Sequence, residues 1–293
     1  MILKNNGNGP IYTLNCKGKL IPLDTPKVMG ILNVTDDSFY GVSRVGKPGL
    51  ATGDGRLLDK AGQMLEEGAA FLDIGGQSTR PGSVRVGAAE ETDRVVPVIE
   101  SLVAHFPEVL ISIDTYHSAV AFAAVRAGAC IVNDISSGSM DAQMISTVAS
   151  LHVPYIAMHM QGTPDTMHLD PQYAEVAMEV VQYLAGINNT CTESGIHDVI
   201  LDPGFGFGKT ATHNFRLLSQ LELFALLQRP ILVGLSRKST IYKTLQTTPE
   251  KALNGTTVLH TIALLKGAHI LRVHDVREAV EAVQLVGAMK RST

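Results

Sequence analysis

An alternation repeated eight times constrains this chain more than any other feature. Short apolar runs rich in Val, Ile and Leu recur along it, separated by stretches with helical patterning: KVMGILN, AAFLDIGGQSTR, LISIDT, ACIVND, PYIAMHM, VILDPGFGFGK, PILVGLSRKS and AHILRVH. Strands covered on both faces read as near-continuous apolar runs, and strands alternating with helices build a parallel sheet. Open doubly wound sheets usually have fewer repeats and one Gly-rich fingerprint. The pattern predicts the α/β class as a (β/α)8 TIM barrel. Each run breaks into Asn, Asp, His, Arg, Lys or Ser, and in such a barrel all strand C-termini open on one face. The polar residues should therefore converge.

The 293 residues suit one barrel with modest extras, and 45% hydrophobic content supplies a large core. No composition break marks a second domain, so one domain over 1–293 is expected. A net charge of −4 provides no general basic field, which argues against nucleic acid as a partner. Cys16, Cys130 and Cys191 are scattered, odd in number and without metal-finger spacing, as in a reducing compartment. The start, MILKNNGNGP, contains neither an apolar signal core nor a spanning segment. A cytoplasmic protein with no membrane partner is expected.

Residues 11–24 read as a short N-terminal β-hairpin turning at Lys17-Gly18-Lys19 and covering the barrel bottom; the barrel itself takes about 27–289. Strands are predicted at 27–33, 71–74, 110–114, 131–134, 154–159, 199–202, 231–235 and 270–273. Helices are predicted at 54–67, 90–105, 117–127, 140–150, 171–194, 213–227, 249–266 and 275–289. The Gly-rich stretch 41–55 is too long and polar for a tight connection, and loops of that kind at a barrel mouth often carry function.

Strand alternation selects the residues that point inward. Ser112 and Asp114, Ile131 and Asn133, Ile200 and Asp202, and Ile270, Arg272 and His274 share parity, with the polar member at the top. Buried charges are costly unless paired, so Asp114, Asn133, Asp202 and nearby Lys238 call for a polar ligand with complementary donors. The stretch Asp202–Lys209 lacks the GxxxxGK[ST] spacing of a phosphate loop. Its glycines instead suit a tight turn beneath a ligand, with Phe205 or Phe207 as a flat wall. Ser236-Arg237-Lys238-Ser239 ends a strand and opens a helix, a natural seat for a carboxylate or phosphate. Arg272 and His274 add donors one strand over. Asn33 can ligate a hard cation beside phosphate oxygens. Ser78-Thr79-Arg80-Pro81-Gly82 forms a second mouth loop. The other histidines show no metal pattern; His159, ending a strand, stands apart.

These motifs in this order resemble the dihydropteroate synthase family over about residues 27–286. The likeness is carried by MGILNVTDDSF (29–39), LDIGGQSTRPGS (72–83), ISIDTYH (111–117), IVNDIS (131–136), MHMQGTP (158–164), LDPGFGFGK (201–209), VGLSRKS (233–239) and RVHDV (272–276). The resemblance implies condensation of 6-hydroxymethyl-7,8-dihydropterin diphosphate with p-aminobenzoate, with Mg²⁺ and release of pyrophosphate. It implies that Asp114, Asn133, Asp202 and Lys238 hold the pterin, that Asn33, Arg80, Arg272 and His274 hold the diphosphate, and that Asn33 binds Mg²⁺. Thr79, Pro81, Phe207, Lys238 and Ser239 would frame p-aminobenzoate. Asp114, Asp202, Lys238 and Arg80 would carry catalysis. A homodimer and competition by sulfonamides are implied as well.

Three positions depart from the family pattern: Asp36 stands for Pro, Gly41-Val42-Ser43 occupies the SDGG-like stretch, and Gln77 stands for Glu. Asp37 or Arg44 could take over duties of the first loop. Three other readings use part of this set: a corrinoid-linked methyltransferase domain, a pterin-binding paralogue without turnover, and a Lys238 Schiff-base aldolase. Pyrophosphate release from the two substrates separates them from the synthase.

Overall fold

Strand parity organises the molecule. The structure, a computed structural model, describes residues 11–34, 52–77 and 85–292, with the backbone alone for 52–54. Strands β1 (Thr13–Cys16) and β2 (Lys19–Pro22) form an antiparallel hairpin. Its two-residue turn, Lys17-Gly18, has φ of 55° and 83°, the left-handed pair that a tight hairpin of right-handed twist requires.

The next eight strands are β3 (Lys27–Asn33), β4 (Phe71–Gly75), β5 (Ile111–Asp114), β6 (Ile131–Asp134), β7 (Tyr155–Met158), β8 (Val199–Asp202), β9 (Leu232–Val233) and β10 (Ile270–Val273). They form one parallel sheet in the order β8-β7-β6-β5-β4-β3-β10-β9. A parallel bridge from Leu201 to Ile231 and the 2.9 Å bond from Leu201 N–H to the Pro230 carbonyl join its two edges. The result is the expected (β/α)8 barrel.

Helices α1 (Thr52–Glu66), α2 (Ala88–His105), α3 (Ser118–Ala127), α4 (Met144–Leu151), α5 (Val176–Glu193), α6 (Ala211–Ser219), α7 (Ser239–Thr244), α8 (Leu253–Leu265) and α9 (Val276–Arg291) follow the strands. Outward strand residues such as Leu72, Ile113, Val132, Leu201 and Leu271 pack against them in the larger core. Inward residues Met29, Phe71, Ile131, Ile156, Ile200, Leu232 and Ile270 form a separate cluster together with Tyr12, Leu14, Cys16, Ile21 and Leu23 of the hairpin region. The hairpin thus closes the lower end, as its place ahead of the repeat suggests. Asn15 N–H donates to Asp198 Oδ2 at 2.7 Å and ties it to the approach to β8.

Several boundaries differ from the sequence reading for local reasons. Helix α4 starts at Met144 rather than Met140, because Asp141 is spent accepting from the N–H groups of Gln143 and Ser118 at 2.9 and 2.7 Å. The segment read as one helix over 213–227 divides into α6 and a 3₁₀ turn, Leu221–Leu227. Helix α6 starts earlier, at a capping box in which Thr210 Oγ1 accepts from His213 N–H. The segment 249–266 likewise opens as a 3₁₀ turn, Pro249–Lys251, before α8.

Candidate active site

One step of two residues above the apolar inner layer, the same strands present Asp73, Ser112, Asn133, Asp202 and Arg272. Arg272 is the hub. Its Nε donates to Asp73 Oδ2 at 2.6 Å, its Nη2 donates to Asp114 Oδ2 at 2.5 Å, and Asn133 Nδ2 donates to the same Asp73 oxygen at 3.1 Å. Four barrel strands are thereby joined through side chains. Asp73 is fully buried, so its charge depends on the guanidinium for compensation. Burial pushes the Asp114 carboxyl up to about 7, with Arg272 pulling it back and the Asp73 and Asp134 charges adding to the rise. Arg272 engages only Oδ2 of each carboxylate, which leaves acceptor oxygens on the floor for a ligand rich in N–H donors.

The loop after β8 brings the other half of the site. Asp202 Oδ1 accepts from Gly204 N–H at 2.7 Å, which turns the chain across the mouth. Burial raises the Asp202 carboxyl, and the Lys238 ammonium opposes that rise. A Cβ at Gly204, whose φ is +71°, would stand 1.8 Å from the His159 carbonyl oxygen, so only glycine fits this crossing. Phe205 is buried in the outer core, whereas Phe207 packs with Tyr116, Ile135 and Met158 at the mouth. Of the two candidate walls, Phe207 is the one at the pocket.

Lys238 Nζ lies 4.6 Å from the centre of the Phe207 ring and donates to the Phe205 carbonyl. Burial lowers its pKa to about 8, against the raising effect of Asp202. Lys238 also precedes α7, whose first residue is Ser239. Arg237 is not a ligand group. Its Nε and Nη2 clasp both oxygens of Asp275 at 2.8 and 2.7 Å, while Nη1 donates to the carbonyls of Pro249 and Glu250. Its φ of 53° marks a strained turn held by those four bonds.

At the rim, His274 Nδ1 is 3.0 Å from Ser236 Oγ, and the His274 N–H donates to that hydroxyl at 3.1 Å. Burial and the Arg272 charge lower its pKa to about 4, so the ring is neutral at pH 7. Asn33 ends β3 exposed, with Oδ1 3.6 Å from where a Gly75 Cβ would be. Behind the mouth, the fully buried Glu91 accepts from Gln77 Nε2 at 3.2 Å and Thr115 Oγ1 at 3.1 Å. Tyr116 Oη donates to Gln77 Oε1 at 2.9 Å, so the amide at this atypical position supplies one donor and one acceptor. Burial raises Glu91 to about 8. Thr79, Arg80, Pro81, Asp36, Asp37, Arg44 and the 41–43 stretch lie outside the described residues.

Asp114, Asn133, Asp202, Lys238, Arg272 and Phe207 thus gather at one mouth, with Asn33, His274 and Ser239 at its rim. The sequence reading missed Asp73, although its parity with Phe71 in FLDIG places it inside. It also missed Glu91, whose acidic position in the first turn of a helix reads as an ordinary solvated cap.

Known proteins match this architecture. The pterin binding enzyme family matches residues 29–274. Dihydropteroate synthase of Escherichia coli K12 is 42% identical over 280 residues, covering 94% of this chain and 95% of that protein. A crystal structure of Yersinia pestis dihydropteroate synthase in a sulfonamide drug complex superposes with TM-score 0.87 at 40% identity, over 96% of this chain and 100% of that one. Xanthomonas albilineans dihydropteroate synthase in complex with 7,8-dihydropteroate gives TM-score 0.82 at 37% identity, over 95% of this chain and 99% of that one. Matches of this extent and identity mean that the chain belongs to the dihydropteroate synthase family of pterin-binding enzymes.

Proposed function

We propose that this chain joins 6-hydroxymethyl-7,8-dihydropterin diphosphate to p-aminobenzoate, forming 7,8-dihydropteroate and pyrophosphate, and that residues 1–293 act as one unit in doing so. The observation that carries the reading is the pairing of excess carboxylate on the floor with Lys238 and Arg272 beside it. An aminopyrimidine edge offers parallel N–H donors, and a carboxylate accepts two such bonds side by side, as it does from guanidinium. Asp114, Asn133, Asp202 and Lys238 take that edge. Arg272, His274 and Asn33, with Arg80 beyond the described residues, take the diphosphate. Two of the five N–H groups of Arg272 are committed to Asp73 and Asp114, which fixes the guanidinium over the floor and leaves the other N–H groups for phosphate.

The C–O bond at the exocyclic methylene breaks ahead of attack, and its electron pair leaves with pyrophosphate. The aniline nitrogen forms the new C–N bond and then sheds a proton to solvent. Asp114 and Asp202 stabilise the positive charge that develops across the dihydropterin. Phe207 and Lys238, with Thr79 and Pro81, hold the aniline ring in line, and its carboxylate meets the α7 start at Ser239.

The donor set fits Mg²⁺. Among the described residues no cluster of three or more His, Cys, Asp or Glu can hold a metal, while the Asn33 amide offers a single hard oxygen at the rim. That ion keeps waters and is commonly bound by few protein oxygens plus substrate phosphates. Asn33 would hold it, and it would supply charge neutralisation of the leaving group. A homodimer belongs to the same reading, supported by the exposed apolar residues Val258, Leu265, Leu285 and Met289 on the last helices.

A coupled pyrophosphate assay tests the reaction. Release that requires both substrates and Mg²⁺ is expected; the absence of p-aminobenzoate dependence would remove it.

A further inference from the structure

The DPGFGFGK loop is gripped by two lysines. Lys238 reaches it from the mouth, and Lys209 from beneath. Lys209 is 8% exposed, and its Nζ lies 2.8 Å from His159 Nδ1, 3.0 Å from the Gly204 carbonyl, 3.1 Å from the Phe207 carbonyl and 3.4 Å from the His159 carbonyl. An ammonium has three protons and no acceptor, so these four acceptors satisfy it without a directly bonded carboxylate. His159 Nδ1 must then be the unprotonated nitrogen, with the ring proton on Nε2. The ring is walled in edge-on by Tyr183 at 4.9 Å, with Tyr173 at 6.1 Å, and is 6% exposed. Burial and the Lys209 charge lower its pKa to about 3. Burial pushes the Lys209 ammonium well below its usual value, with Asp202 opposing that fall and Lys238 adding to it. With every acceptor turned inward, the charged form is the one this seat is built for.

We infer that Lys209 is a positioning residue: its ammonium, seated on His159 and on the carbonyls of Gly204 and Phe207, acts as an internal cation that fixes the loop carrying Asp202 and Phe207 into the pocket. This rests on the assignment of Asp202, Phe207 and Lys238 to substrate. Without that charge, carbonyl dipoles and an imidazole lone pair face one another across the seat, and the loop relaxes away from Lys238. A misplacement of about 1 Å at a reacting geometry costs up to about 100-fold in rate.

The test compares Lys209→Met and Lys209→Ala with the parent chain. Lys209→Met should lower kcat/KM about 10- to 100-fold, with KM for p-aminobenzoate rising because Phe207 moves. Ethylammonium should restore part of the lost activity of Lys209→Ala saturably, whereas tetramethylammonium, which has no N–H to donate, should not. Nitrogen NMR of the parent chain gives a readout that needs no variant to fold. His159 should keep Nδ1 unprotonated and Nε2 protonated between about pH 5 and 8, where an unperturbed imidazole titrates. Parent-like kinetics in Lys209→Met, or a His159 ring that titrates in that range, overturns the inference. Asp202→Asn separates the two ideas. If that variant binds pterin diphosphate normally, the pocket assignment fails, while the His159 spectrum still reports on the seat.

Discussion

The barrel interior holds two layers of opposite chemistry, two residues apart on β4, β6, β8 and β10. The lower one is Met29, Phe71, Ile131, Ile156, Ile200 and Ile270, sealed by the hairpin. The upper one is Asp73, Ser112, Asn133, Asp202 and Arg272. The lower layer is complete in itself, since its apolar side chains pack to crystal-like density and ask for no partner. The upper layer is incomplete. Its carboxylates outnumber its cations at Arg272, and among the described residues Asp73 Oδ1 and Ser112 Oγ have no hydrogen-bond partner. Rigidity is built below so that unspent polarity can be held above. Neither layer would serve in the other's place.

Five variants, one of them followed across pH, probe that contrast, taken from the largest expected effect down. Phe71→Ala should cost about 3–5 kcal/mol of unfolding free energy in a urea titration, while the folded fraction keeps its turnover. Loss of turnover at full stability would show the lower layer to be part of the site. Arg272→Ala should lower kcat/KM about 100- to 1,000-fold, chiefly through diphosphate retention. Measured by pyrophosphate release, a variant with unchanged turnover would dissolve the upper layer as a functional unit. Asp202→Asn should weaken pterin diphosphate binding about 10- to 100-fold in calorimetry, as expected for hydrogen bonds to a charged group.

Glu91 adds a pH dependence to the upper half alone. Its carboxyl stands at about 8 in the folded chain against 4.5 unperturbed, so the folded state binds that proton more tightly between the two values. Its contribution to stability is full below about pH 4.5 and drains as pH rises toward 8, with a slope of at most roughly 1.4 kcal/mol per unit. Glu91→Gln should flatten that fall in thermal melts taken across the range; an unchanged slope assigns the effect elsewhere. Ile200→Val, directly below Asp202, should cost only about 0.5–1.5 kcal/mol and leave substrate affinity intact.

Much of this is legible in the amino-acid sequence. The period-two alternation placed Asp114, Asn133, Asp202 and Arg272 together because strand geometry leaves no choice of face. Asp73 obeys the same rule, but it lies inside its strand rather than at the end, where a sequence reading looks for polar residues. The mutual grip of Lys209 and His159 has no local signature: the two are 50 positions apart and meet only because β7 and β8 are neighbours. Helix starts were misplaced where one side chain, such as Asp141, captures backbone N–H groups that a helix would otherwise leave free. Such contacts are tertiary, and periodicity carries no information about them.

Among the described residues the hairpin stoppers the lower end of the cup, so its way in lies at the opposite rim. On the proposed assignment the heterocycle rests on the acidic base, deeper than the aniline, and would enter ahead of it. On the same assignment the finished adduct would leave by the rim that admitted its two halves, which predicts sequential traffic through the cup.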